Sequence, residues 1–93
     1  MVLALLTLRL HMPWVHSLKE KRMERQSLLA RLRNQFNISA AETDEQDTHP
    51  ILVISTVGIA ADSRQADSIL DHILDFVEAN TEAEILSAER ELL

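Results

Sequence analysis

The stretch ILVISTVGIAADSRQADSILDHILDFVEAN, residues 51–80, decides the fold. Its first eleven residues, 51–61, are a β-branched run and predict the strongest strand in the chain. Asp62-Ser63-Arg64-Gln65 then has the spacing of a helix start, with Asp62 as N-cap and Gln65 three positions on. Ala66, Ile69, Leu70, Ile73, Leu74 and Val77 recur at helical spacing, and Asn80 ends the run. A strand followed at once by an amphipathic helix is half of an α+β repeat, so the other half is sought on either side.

Upstream, residues 2–11, VLALLTLRLH, place Thr7, Arg9 and His11 on alternate positions, the period of a strand. Pro13 stops the ladder, and residues 12–16 connect. Ser17-Leu18-Lys19-Glu20 has capping-box spacing, which predicts a helix whose stripe is Leu18, Leu28, Leu29, Leu32 and Phe36, with Asn37 as C-cap. Residues 38–43 read as a short strand and 44–50 as a polar loop. Downstream, residues 83–92 alternate unevenly. Glu89-Arg90-Glu91 suits a helix, whereas a strand completes the repeat. The expected order is β-α-β-β-α-β. That is the ferredoxin-like split βαβ of the α+β class, a four-stranded antiparallel sheet in order 4-1-3-2 with two helices on one face. Residues 1–93 are expected to form one such domain.

Composition narrows the functions open to the chain. Its 93 residues carry no Cys, which excludes a disulfide scaffold, a thiol nucleophile and a Cys-based zinc site. One Gly excludes a Gly-rich phosphate loop. No apolar run reaches the ~20 residues of a membrane span, and MVLALLTLRL lacks the basic start and cleavage site of a signal peptide. A cytoplasmic protein with no membrane contact is the expectation. The net charge of −6 is unevenly spread. Residues 1–41 hold seven cations against Glu20 and Glu24, a net of +5, and residues 42–93 hold two against thirteen acids, a net of −11.

The central strands, one and three, are apolar on both sides. Strand one presents Leu3 and Leu5 to one face, and strand three presents Ile51, Val53 and Val57. Only one face can be covered by helices. The other predicts self-association, with Leu3, Leu5, Ile51 and Val53 at the interface of a homo-oligomer.

His16-Ser17-Leu18-Lys19-Glu20-Lys21-Arg22, then Ser27-Leu28-Leu29-Ala30-Arg31-Leu32-Arg33, then Phe36-Asn37-Ile38-Ser39-Ala40-Ala41-Glu42, resemble the YlxP-like family of small bacterial proteins over essentially the whole chain. The resemblance implies a ferredoxin-like fold and no established enzymatic activity. Members are often encoded beside translation-initiation and ribosome-maturation genes, which implies a place near the ribosome. Two stretches depart from the family pattern. Met23-Glu24-Arg25 stands where apolar residues are common and puts Arg25 on the inner stripe of the first helix, and Thr48-His49-Pro50 replaces an apolar-aromatic turn.

Chemistry is sparse. Cations at Lys19, Lys21 and Arg22 oppose the dipole of the helix they begin, at about 0.3–1 kcal/mol each. Free amides beside cations form an anion site. With Arg31 and Arg33 further along and Trp14 placed to stack on a base, they are the candidate contact with RNA or a ribosomal subunit. Asp67, Asp71, Asp75 and Glu78 stripe the second helix, where they could pair with Lys19, Arg25 or Arg33 and use that basic face up. His11, His16, His49 and His72 lack ligand spacing, so no metal is expected, and no nucleophile–base pair lies close in the sequence, so no catalytic residue and no cofactor is expected. The remaining reading is a self-associating protein module without nucleic-acid contact.

Overall fold

The computed structural model describes residues 1–93. Six elements follow one another: β1 (Val2–His11), α1 (Leu18–Gln35), β2 (Ser39–Asp44), β3 (Ile51–Ala60), α2 (Ser63–Asn80) and β4 (Glu84–Leu92). The sheet order is β2-β3-β1-β4, every pair antiparallel, and the uneven 83–92 segment is a strand. This is the expected α+β ferredoxin-like arrangement.

Local chemistry sets the helix ends. Ser17 caps α1 by accepting from the Glu20 amide at 3.1 Å. The Glu20 carboxylate reaches back to the His16 amide at 3.1 Å, one residue beyond the Ser17 amide that a capping box uses. Asp62 caps α2 through the Gln65 amide at 2.9 Å. The C-cap of α1 is Phe36 rather than Asn37. Phe36 packs against the core, where its ring meets Phe76 of α2 edge-on at 5.6 Å.

Strand alternation then sorts the side chains. Leu6, Leu8 and Leu10 of β1 pair across from Thr56, Ile54 and Leu52 of β3. These rows lie under the helices, in one cluster with Leu28, Leu29 and Leu32 of α1 and Ala66, Leu70, Ile73 and Val77 of α2. Each fully buried Leu or Ile contributes roughly 1.5–3 kcal/mol. On β3, Gly58 leaves room for Ile38, whose methyl would lie 3.1 Å from an added Cβ.

Thr56 breaks the apolar rule of this core. It is 2% exposed and its hydroxyl has no hydrogen-bond partner in the protein. A buried, unpaired hydroxyl costs about 1–3 kcal/mol, and Val has the same shape without it. Thr56→Val is therefore expected to stabilise the fold by about 1 kcal/mol, raising the thermal midpoint by several degrees. A lowered midpoint would show that the hydroxyl has a role in the core.

Candidate functional site

The proposed basic cluster does not assemble as one surface. Lys21 turns inward and is 2% exposed. Its ammonium meets three acceptors: the Glu45 carbonyl at 2.6 Å, the Thr48 carbonyl at 2.8 Å and Glu42 Oε2 at 2.9 Å. At that distance the Lys21 ammonium and the Glu42 carboxylate form a buried ion pair. Arg25 holds the other oxygen of Glu42 at 2.9 Å. Arg25 thus lies on the inner stripe, as the sequence placed it, but its partner is Glu42 of β2 rather than the acids of α2.

Three more of the candidates, Trp14, Arg31 and Arg33, are also engaged. Trp14 is half-buried against the core and donates its indole N–H to Glu24 at 3.2 Å. Arg31 donates to the Asn80 carbonyl, at the end of α2, and to the Ser27 hydroxyl, each at 2.9 Å. Arg33 donates to the Ala40 carbonyl at 2.5 Å. The amides that begin α1 are partly satisfied by Ser17 and Glu20, and the Glu20 carboxylate already brings negative charge to that end. Lys19 and Arg22 remain exposed, with no ion pair. The acidic stripe of α2 does not reach across to α1. Asp71 pairs instead with Arg90 of β4.

The sheet face away from the helices is the other candidate. Its rows, read off the ladder, are Leu3 with Ile59, Leu5 with Val57, Thr7 with Ser55, Arg9 with Val53 and His11 with Ile51. Antiparallel pairing therefore sets Leu3 and Leu5 at one end of the face and Ile51 and Val53 at the other. The far end is polar: Arg9 pairs with Glu45 at 2.7 Å and His11 lies 3.6 Å from Glu84. Val53, beside Arg9, is buried. The middle is a hydroxyl ladder, Thr43 to Ser55 at 2.8 Å and Ser55 to Thr7 at 3.1 Å.

The near end is apolar and open. Leu93 exchanges both backbone hydrogen bonds with Leu3, at 2.7 and 3.0 Å, which extends the row to Leu93–Leu3–Ile59 across three strands. Leu93 is 63% exposed and Ile59 70%. Leu5 and Val57 form the next row, flanked by Glu91 on β4 and Ser39 on β2. Ile59 and Leu93 were absent from the sequence reading. The signal that finds them is register, since Ile59 shares the parity of Val57 and follows it by two.

Glu42 is the one group whose titration the fold clearly moves. Burial pushes its carboxyl up, and the stronger combined pull of Lys21 and Arg25 brings it below its ordinary value of 4.5. A carboxyl lowered in the folded state stabilises above its unfolded pKa and loses that contribution as pH falls through the folded one. Glu42→Gln leaves a buried ammonium without its counter-charge and should cost about 3 kcal/mol at pH 7. Urea unfolding at pH 7, 5 and 3 checks this: the gap between wild type and variant should narrow toward pH 3. A gap unchanged at pH 3 would rule the ion pair out as its source.

No three His, Asp or Glu side chains gather into a metal-binding group, and no helix is long and apolar enough to cross a membrane. Over 68 residues, 73% of this chain and 74% of the other, the sequence is 32% identical to the uncharacterized protein YlxP of Bacillus subtilis (strain 168). A family model described as "Protein of unknown function (DUF503)" matches residues 3–90. With that fold, and with a match that runs from the first strand to the last, the chain belongs to the DUF503 family, whose function is unknown.

Proposed function

We propose that this protein is a self-associating interaction module whose contact surface is the apolar end of its open sheet face. The observation that carries the reading is the Leu93–Leu3–Ile59 row with Leu5 and Val57 beside it. Leaving such side chains in water forgoes roughly 1.5–3 kcal/mol each. A contiguous apolar surface on neighbouring strands, ending in polar rows, has the anatomy of an interface core with its rim. Both edges of the sheet are poor alternatives. The β2 strand is six residues long, and β4 carries Glu84, Glu89 and Glu91, which would repel a second β4 laid against it.

A second reading rests on Lys19 and Arg22, which face solvent without acidic partners. They support contact with RNA or a ribosomal subunit. Two phosphate contacts give a salt slope of about −1.4 to −1.8, so binding would weaken about tenfold between 50 and 200 mM salt.

Light scattering separates the first reading from its failure. Wild type at tens of micromolar should have the mass of a dimer or a larger closed oligomer. Ile59→Glu, at an exposed position, should have monomer mass and an unchanged circular dichroism spectrum. A monomeric wild type overturns the proposal. For the second reading, the Lys19→Ala, Arg22→Ala double variant should lose salt-sensitive co-sedimentation with ribosomal subunits, and co-sedimentation equal to wild type removes it.

A further inference from the structure

We infer that two copies of this chain stack open face to open face about a twofold axis that runs parallel to the strands, between β1 and β3. This rests on the self-association reading and names its partner and its geometry. Oligomers of one chain are closed by symmetry, and a twofold contact must be complementary to itself. The register of β1 on β3 meets that condition about this axis. Leu3 lies beside Ile59 and Leu5 beside Val57, so exchanging the two strands lays Leu3 over the partner's Ile59 and Leu5 over the partner's Val57. Thr7 meets the partner's Ser55, hydroxyl over hydroxyl. The outer strands are exchanged as well. Glu91, level with Leu5 on β4, comes over the partner's Ser39, and Glu89, level with Thr7, over the partner's Ala41. The apolar pairs of the two central strands thus meet apolar pairs. The two carboxylates fall on small side chains at the sheet margin, within reach of water.

Other axes break this match. An axis along β1 sets Leu5 on itself but carries Glu91 over the partner's Val57. An axis across the strands at Thr7 lays Leu5 over the partner's Arg9 and Leu3 over the partner's His11. An axis across the strands at Leu3 keeps apolar on apolar, but only the strand ends overlap. Area decides against that last arrangement. Strands of ten, ten, nine and six residues, rising ~3.3 Å per residue and spaced ~4.8 Å apart, give a face of about 550 Å². A stable interface uses about 800 Å² per partner, which the whole face approaches and a half-overlap does not. On the axis between β1 and β3, Arg9 comes over the partner's Val53 and His11 over the partner's Ile51, and the Arg9–Glu45 and His11–Glu84 pairs form the polar rim of the far end.

Charge complementation tests the axis. Leu5→Lys, Leu5→Glu and Val57→Glu should each be monomeric alone, with circular dichroism reporting an intact fold. Mixed in equal amounts, Leu5→Lys with Val57→Glu should associate at least tenfold more tightly than Leu5→Lys with Leu5→Glu, measured by sedimentation velocity. The reverse preference places the axis along β1 and overturns this geometry while leaving self-association standing. Equal, negligible association of both mixtures, with wild type dimeric, also overturns it. A wild type that is monomeric removes the reading beneath it.

Discussion

The Lys21 ammonium, buried between α1 and the β2–β3 connection, is the contact on which the shape of this end of the molecule depends. A charge taken out of water is costly unless paired and hydrogen-bonded. Here it is met by the Glu42 carboxylate and two loop carbonyls. The loop must therefore stay where its carbonyls reach Nζ. Glu45 adopts a left-handed backbone, φ 54°, and its carbonyl accepts from both Lys21 and the Thr48 amide. Its side chain crosses to the other side of the sheet and pairs with Arg9. One buried cation on the helix side thus fixes the polar end of the open face.

That face has a gradient. Charged pairs occupy one end, hydroxyls the middle and unpaired apolar side chains the other end. The gradient follows from antiparallel pairing, which aligns the apolar start of β1 with the apolar end of β3. The charge asymmetry of the sequence has a comparable resolution. The basic half does not present its cations as a surface, because Lys21, Arg25, Arg31 and Arg33 are taken up by the acid and carbonyls of β2, the loop and the end of α2.

Much of the fold was legible because it rests on period and punctuation. Alternation in 2–11, the capping box at Ser17 and the β-branched run at 51 each point to one element, and Asp62 with Gln65 starts α2 where expected. The candidate site was legible only in part. Arg25 could be placed inward from the helical stripe. Lys21, four residues earlier on the same face, belongs there too, but its charge argues for solvent and only the fold sets Glu42 opposite it. The patch was half visible. Leu3 and Leu5 follow from alternation, whereas Ile59 and Leu93 depend on which strand neighbours which and in what register.

The sequence by itself determined the elements, their order and the two-sided apolar character of the central strands, since these depend on residues close together in the chain. Tertiary structure alone decided which cations are buried and which apolar residues share one end of the sheet. Both depend on contacts between residues far apart in the chain: Lys21 with Glu42, Leu3 with Ile59, Leu3 with Leu93. A lysine's side is settled by whether an acceptor lies within reach, and a leucine's exposure by what the register sets beside it. Neither is a property of the residue or of its neighbours in the chain.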